Sequence, residues 1–191
     1  MSATSAFDGA VLCGGASRRM GSDKALVTVD GVAMACRVAH ALQEAGAGNV
    51  VAVGGDHVAL GELGLDLVAD RWPGEGPLGG VISALRAPGP QDLVAVLSCD
   101  LLDPDPAAVR RLVASLSETG VDGVFPRVDG RPQWTHGVWR RRVAGVLEAI
   151  FSSGERSVYG AVHGLEIGFV DEGDRRPFDD ADHPSDLPDR P

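Results

Sequence analysis

The chain has 191 residues, 44% of them hydrophobic, and carries a formal net charge of −10. Its length and composition are typical of one globular domain with a sizeable core, so we predict a single domain over residues 1–191, with an acidic tail from about residue 171. The negative charge argues against nucleic acid or an anionic membrane surface as a partner.

The three cysteines, Cys13, Cys36 and Cys99, lack the number and spacing of a disulfide framework or a zinc site. Cys13 and Cys99 each end an apolar run, so both are predicted to be small buried residues rather than nucleophiles. No apolar run approaches transmembrane length, and the first residues lack the features of a signal peptide. We therefore expect a cytoplasmic location.

Through the first hundred residues, apolar runs alternate with segments of helical periodicity. Strands or short extended pieces are predicted at residues 9–13, 26–29, 50–53, 65–69 and 93–97, and helices at 32–45, 60–63 and 81–86. Pro73–Gly80 is predicted to be a loop, either a plain connector or one whose glycines let a ligand approach the backbone.

In the second half, Asp105 and Pro106 mark the start of a helix. Further strands are predicted at residues 123–128, 133–139 and 166–170, and helices at 143–151 and 155–162. This alternation predicts a three-layer α/β/α sandwich with a mostly parallel, Rossmann-like sheet. Ligands in such sheets bind beyond the carboxyl ends of the strands, where Asp70 and Asp100 both fall.

The loop after the first strand begins with Gly14 and Gly15 and continues through Arg18, Arg19 and Lys24. Open backbone amides followed by cations suit a polyphosphate, although a glycine-rich turn with a solvated basic edge has the same pattern.

Two better-known phosphate-binding loops are excluded at this position. A P-loop needs a Gly-Lys pair, whereas Lys24 follows Asp23. The dinucleotide fingerprint Gly-x-Gly-x-x-Gly fails because the glycines stand at positions 14, 15 and 21. A nicotinamide-dependent oxidoreductase is therefore disfavoured.

The same loop resembles the signature Leu-x-Gly-Gly-x-Ser-x-Arg-Met-Gly-x-Asp-Lys-x-Leu of the nucleotidyltransferases that build dinucleotide forms of the molybdenum cofactor. The matching residues are Leu12, Gly14, Gly15, Ser17, Arg19, Met20, Gly21, Asp23, Lys24 and Leu26. Three further blocks follow in the family's order: Asp70–Leu78, Val94–Asp100 and Phe178–Leu187. The resemblance covers about residues 8–187 and is closest to the molybdenum cofactor guanylyltransferase (MobA-like) family.

The resemblance implies the nucleotide-diphospho-sugar transferase type of fold and a Mg²⁺-dependent enzyme. The implied reaction moves GMP from GTP onto the phosphate of molybdenum-molybdopterin and releases pyrophosphate. GTP and a molybdopterin-type acceptor would be its partners, with transient contact to cofactor-insertion proteins as a further option. Three alternatives stay open: a cytidylyltransferase of the same cofactor, nucleotide transfer to another phosphorylated metabolite, and a nucleotide-binding module without turnover.

The resemblance also implies roles for individual residues. Catalytic roles fall to Lys24, Asp100 and Arg19, and nucleotide binding to Leu12, Cys13, Gly14, Gly15, Lys24, Asp70 and Asp100. Asp100 and Asp182 are the implied metal ligands, because Mg²⁺ prefers one or two carboxylates together with phosphate oxygens and water.

Some positions depart from the family pattern. Asp180 and Asp182 stand where guanylyl enzymes tend to carry Asn and cytidylyl enzymes Asp, which leaves the choice of base open. Leu102 replaces a usual proline after the metal strand, and Gln133–His136 replaces a Pro-containing segment on the pterin side. His136 itself is predicted to be a packed or surface residue, and Trp134 and Trp139 are expected to pack near the site.

Overall fold

The computed structural model describes residues 6–14, 23–181 and 184–186, which are organised around one twisted sheet. The strands are β1 (Phe7–Leu12), β2 (Thr28–Val29), β3 (Val32–Ala33), β4 (Val50–Val53), β5 (Asp66–Val68), β6 (Leu93–Ser98), β7 (Gly123–Val128), β8 (Arg131–Pro132), β9 (Gly137–Arg140) and β10 (Ile167–Glu172). The sheet runs β10-β7-β9-β6-β1-β4-β5, with β8 paired to β7, while β2 and β3 form a separate hairpin. Along that path only β9 is antiparallel to its neighbours. This mostly parallel sheet confirms the predicted fold class.

Helices cover both faces of the sheet: α1 (Met34–Ala45), α2 (His57–Glu62), α3 (Pro77–Arg86), α4 (Pro106–Glu118), α5 (Ala144–Ser152) and α6 (Val158–Ala161). Because side chains alternate along a strand, Val11 of β1 packs against one face and Leu12 against the other. Leu42 of α1 and Leu112 of α4 join the Val11 core, whereas Ile82 of α3 joins the Leu12 core. The described residues therefore form three layers, with one main core on each face of the sheet.

The centre of the sheet is the place where a ligand site is expected. From β1 the chain crosses to β4 through α1 on one face, and it reaches β6 through α3 on the other. The connections thus diverge on either side of β1, and a crevice opens at the carboxyl ends of the adjoining strands. Those ends are Leu12, Val53 and Ser98.

Helix α3 begins four residues earlier than the predicted 81–86. Gly76 turns the chain with a φ of 97°, and Pro77 takes the first helical position, where its missing N–H has no cost. The predicted loop therefore ends at Gly76, and Gly80 lies inside the helix. A Cβ on Gly80 would stand 3.3 Å from Leu12 Cδ2, so the glycine lets α3 pack closely on β1.

The predicted strand over 133–139 is wrong as a single element. After β8 the chain makes a turn in which the N–H of His136 donates to the Gln133 carbonyl (3.2 Å), and β9 begins only at Gly137. A Cβ on Gly137 would lie 2.7 Å from the Phe125 ring, which explains the glycine. Trp139 is buried in the core against Phe125 and does not line the site.

Other boundaries differ by small amounts. The first strand starts at Phe7, and the predicted helix at 155–162 contracts to α6 and a following 3₁₀ turn, Val162–Gly164. Within residues 6–14, 23–181 and 184–186, no helix is long and apolar enough to cross a membrane.

Candidate active site

A cavity of about 220 Å³ opens at the carboxyl ends of β1, β4 and β6. Its walls are mostly small or apolar: Leu12, Gly14, Val53, Asp70, Gly74, Gly76, Pro77, Gly80, Ser98 and Thr135. Apolar walls with a few polar groups suit a planar ring that is recognised along its edge. The cavity lies where the sheet topology predicts a ligand.

Asp70 is the carboxylate in the wall of this cavity. Its Oδ1 accepts hydrogen bonds from the N–H of Trp72 (3.1 Å) and the hydroxyl of Ser83 (3.2 Å). Its Oδ2 lies 3.4 Å from the position that a Cβ on Gly14 would occupy, so the glycine brings the first loop close to this carboxylate. Asp70 is thus both a turn residue and a part of the cavity wall, and its contact with a nucleoside stays a prediction.

The end of β1 offers less free backbone than the sequence suggests. The N–H of Cys13 donates to the Val53 carbonyl (2.9 Å), and the Leu12 carbonyl accepts from the N–H of Cys99 (3.1 Å). Leu12 and Gly14 line the cavity, whereas the Cys13 side chain packs into the core on the opposite face of the sheet. Contact of these three residues with a base stays a prediction.

Lys24 and Asp100 meet just beyond the end of β6. Lys24 Nζ lies 3.2 Å from Asp100 Oδ2, with 14% and 18% of the two side chains exposed. The other oxygen, Oδ1, accepts a hydrogen bond from the hydroxyl of Ser98, which lines the cavity. Asp23 fixes the approach of Lys24 because its carboxylate caps the 3₁₀ turn Lys24–Leu26 at the N–H of Ala25 (3.1 Å). Two residues implied to be catalytic are thereby brought together.

Lys24 is also the only lysine of the chain; the other permanently cationic side chains are arginines. An ammonium is a compact charge with three rotatable donors, whereas a guanidinium has a planar fork. At this edge of an acidic protein, Lys24 concentrates positive charge beside the cavity.

Gly15, Arg19 and Asp182 lie outside the described residues, as does Arg18. Their implied roles in nucleotide binding, catalysis and metal binding stay predictions. Among the residues described, no group of three or more His, Cys, Asp or Glu side chains is arranged to hold a metal ion.

Residues 9–165 match the family model of the MobA-like NTP transferase domain. The chain belongs to this family. A molybdenum cofactor guanylyltransferase from Cereibacter sphaeroides is 34% identical over 171 residues, which are 86% of each chain. A probable molybdenum cofactor guanylyltransferase from Opitutus terrae is 43% identical over 99 residues, about half the length of either protein (51% and 49%). This MobA-like chain is therefore a nucleotidyltransferase.

A solved structure shows the same fold. Molybdopterin-guanine dinucleotide biosynthesis protein A from Archaeoglobus fulgidus superposes with a TM-score of 0.78 at 23% identity, over 94% of both chains.

Beyond the matched region, the MobA-like chain returns to its site. The segment 178–181, which we call the C-terminal strap, forms an antiparallel bridge between Asp180 and Leu101. The N–H of Ala181 donates to the Asp100 carbonyl (2.9 Å), and the N–H of Leu102 donates to the Asp179 carbonyl (3.1 Å). The sequence predicted a mostly solvated tail, and residues 173–176 are exposed, but Phe178 and Ala181 of the strap are buried. The signal that could have shown this is an apolar residue inside an acidic run.

His136 lies next to the candidate site. The sequence left open whether it is a packed or a surface residue. Its side chain is fully buried. Nδ1 lies 3.4 Å from the backbone nitrogen of Ser98, and Nε2 lies 3.1 Å from Asp180 Oδ1. It therefore links the end of β6 to the C-terminal strap. No pattern in the sequence indicated this contact.

The three cysteines of the MobA-like chain are free thiols, and all are buried, as predicted for Cys13 and Cys99. A hydrogen bond with Cys13, together with burial, raises the pKa of Cys99 well above its usual range. Burial, with the nearby Cys13, raises the pKa of Cys36. Because thiols attack as thiolates, Cys36 and Cys99 are unsuited to nucleophilic catalysis.

Proposed function

We propose that this chain moves GMP from GTP onto the phosphate of molybdenum-molybdopterin. An oxygen of the acceptor phosphate bonds to the α-phosphorus of GTP, the bond from that phosphorus to the bridging β-phosphate oxygen breaks, and pyrophosphate leaves. Because the nucleophile is already an anion, the site needs alignment and charge neutralisation more than a strong base. The observation that carries the proposal is the Lys24–Asp100 pair beside a glycine-lined cavity, in a chain of the MobA-like family.

The described residues divide this work between them. Leu12 and Val53 provide apolar wall for a base, and Gly14 and Gly80 leave room for it. The ammonium of Lys24 donates hydrogen bonds to phosphate oxygens and offsets the charge that grows on them during transfer. Asp100 holds Lys24 in place before the nucleotide arrives.

Asp100 also fits the role of a magnesium ligand. Mg²⁺ binds to nucleotides through one or two carboxylates plus phosphate oxygens and water, so a full protein cage is not required. Asp100 is partly exposed at the end of β6, and Ala181, the chain neighbour of Asp182, is bonded to its backbone. Asp100 and Asp182 would hold the ion, which supplies charge neutralisation at the reacting phosphate.

GTP and the molybdopterin-type acceptor are the proposed partners, with a transient contact to cofactor-insertion proteins during delivery of the product. We place the reaction in the cytoplasm. Three buried cysteines without disulfides are consistent with a reducing compartment.

A cytidylyltransferase of the same cofactor is the second candidate. The observation that favours it is the pair of carboxylates at Asp180 and Asp182, where guanylyl enzymes tend to carry Asn.

The test is pyrophosphate release from GTP, CTP, ATP and UTP, each with and without molybdenum-loaded molybdopterin. We expect release from GTP only when the acceptor is present. A clear preference for CTP would overturn the guanylyl assignment. Nucleotide binding without release from any of the four would reduce the protein to a binding module.

A further inference from the structure

The contacts of His136 indicate which of its two ring nitrogens carries the hydrogen. Nδ1 faces the backbone N–H of Ser98 (3.4 Å), which can only donate, so Nδ1 must accept and carries no proton. The proton of the neutral ring therefore sits on Nε2. Nε2 lies 3.1 Å from Asp180 Oδ1 and 3.3 Å from Thr135 Oγ1. The ring thus accepts from β6 and donates to the C-terminal strap.

The strap in turn pairs with the short stretch from Asp100 to Leu102. Its backbone is bonded to the Asp100 carbonyl and to the N–H of Leu102, and it forms a bridge with Leu101. His136 is the side chain that joins this strap to β6 two residues before Asp100. The imidazole, the strap and the end of β6 therefore form one closed set of hydrogen bonds around Asp100.

His136 is placed to position other groups rather than to react. It does not line the cavity, although its neighbours Thr135 and Ser98 do. Its side chain is fully buried, whereas 37% of the Asp180 side chain is exposed. It therefore cannot touch a substrate in this arrangement, and any effect on transfer must pass through the groups that it contacts, which are the strap, Ser98 and Thr135.

We propose that His136, protonated on Nε2, is a positioning residue that seats the C-terminal strap on the end of β6 and so fixes Asp100 beside Lys24. This inference rests on the proposed function for its effect on catalysis. Supporting residues of this kind, one contact away from the reacting groups, typically change activity by about 10- to 100-fold.

Two substitutions distinguish the roles of the two ring nitrogens. His136→Gln places an amide N–H₂ near the position of Nε2 and keeps the donor to Asp180. His136→Asn places an amide oxygen near the position of Nδ1, which keeps the acceptor for Ser98 but loses the donor. His40→Gln, at an exposed position on α1, is the matched control.

Amide hydrogen exchange of the nucleotide-free protein reports on the strap directly. In His136→Asn we expect faster exchange at Leu102 and Ala181, the two amides that join strap and strand. His136→Gln and His40→Gln should exchange at the wild-type rate. Equal exchange in all four proteins, or equal acceleration in the Asn and Gln variants, would overturn the proposal.

The single lysine gives a second signal that needs no substrate. Reductive ¹³C-methylation yields one ε-dimethyl resonance, from Lys24, apart from that of the N-terminal amine. Its chemical shift should move in His136→Asn if Asp100 shifts, and stay in place in His136→Gln. An unmoved resonance in the Asn variant would contradict the placement of Asp100 by the strap.

Kinetics test the catalytic consequence. For His136→Asn we expect kcat to fall by about 10-fold or more, with a smaller change in the KM for GTP, since His136 itself does not line the cavity. Rescue of kcat in His136→Gln supports positioning. Wild-type kcat in the Asn variant would overturn it.

If the His136 variants do not fold, Asp180→Ala and Asp180→Asn, at the more exposed partner, replace them. Faster amide exchange of the strap in Asp180→Ala than in Asp180→Asn supports the proposal, and equal exchange in the two variants overturns it. If the wild-type protein transfers no GMP, the proposed function fails, while exchange and the Lys24 resonance still decide the seating of the strap.

Discussion

Lys24 shows how much a single residue can contribute in a chain of this composition. The net charge of −10 makes the molecule repel a triphosphate at long range, and the arginines within the described residues are largely bound in ion pairs and carbonyl contacts. The one ammonium stands at the cavity edge against Asp100. Binding energy for phosphate must therefore be concentrated in this small region.

Replacing Lys24 by Ala should lower turnover by about 10²-fold or more, the scale of losing one preorganised charge stabiliser. The side chain faces the site, so the melting temperature should stay close to that of the wild type. Lys24→Arg is the matched control: it keeps the charge and should recover only part of the rate, because the fork replaces a compact donor. Measured kcat equal to wild type in Lys24→Ala would show that this ammonium has no part in transfer.

At the residue scale, the sequence predicted Lys24 and Asp100 because both stand in short motifs at strand ends. It did not predict the contact between His136 and Asp180. These residues are 44 positions apart. They meet because β9 is antiparallel to β6, so His136, just before β9, lies beside the end of β6, close to where the strap pairs with Leu101. Hydrogen bonds of that kind depend on strand order, which local patterns do not encode.

At the scale of elements, the loops that follow β1 and β4 are pressed together under the cavity. Gly54 has a φ of 73°, and a Cβ there would stand 3.2 Å from the Cα of Gly14 and 3.3 Å from the Cβ of Asp70. Glycine is required at this position both by the backbone conformation and by the close approach.

Gly64 offers a control for these two causes, because its φ of 80° is similar but nothing lies within 4 Å of its Cβ position. Gly64→Ala should cost about 1 kcal/mol in unfolding free energy, from the left-handed backbone alone. Gly54→Ala should cost more and should also weaken GTP binding, since Gly14 must move. Urea unfolding and nucleotide titration check both effects; equal losses of stability and no change in GTP affinity would contradict the close packing.

The sequence predicted elements well where the hydrophobic periodicity was strong. It predicted them less well where a glycine is required by close packing against another element. β6 and α4 fall almost where the apolar pattern puts them. Gly79 and Gly80 suggested a loop, but they lie in α3, where a larger side chain would meet Trp72 at position 79 and Leu12 of β1 at position 80. The strand expected over 133–139 is interrupted by the turn before β9, which places the His136 ring against the N–H of Ser98 at the end of β6.

At the scale of the whole molecule, stability and function are placed at opposite ends of the sheet. Asp8, near the start of β1, is buried, and its Oδ2 accepts from Nη2 of Arg141 at 2.7 Å. The same guanidinium donates to the carbonyls of Leu85, Ala87 and Gln91. This cluster ties β1, α3 and the chain after β9 together, far along the strand from the cavity.

Asp8→Ala should therefore destabilise the fold by about 3 kcal/mol, the lower end for breaking a buried pair, because Arg141 keeps its three carbonyl partners. Asp92→Ala is the matched control: 59% of the Asp92 side chain is exposed, so its pair with Arg140 should be worth less than about 1 kcal/mol. At a temperature where both variants are folded, kcat should equal that of wild type. A loss of kcat in folded Asp8→Ala would mean that the two ends of the sheet are coupled.

The most direct test of the roles of Asp100 is a magnesium titration of GMP transfer for wild type and Asp100→Asn, with melting curves for both proteins. Asn keeps the size of the side chain but removes the charge that pairs with Lys24 and would hold the ion. Asp103→Asn, an exposed position three residues on, is the control. We expect Asp100→Asn to fold normally, to lose nearly all transfer and to respond weakly to magnesium, while Asp103→Asn behaves as wild type. Transfer by Asp100→Asn at the wild-type rate, with an unchanged magnesium dependence, would show that Asp100 neither holds the ion nor takes part in transfer.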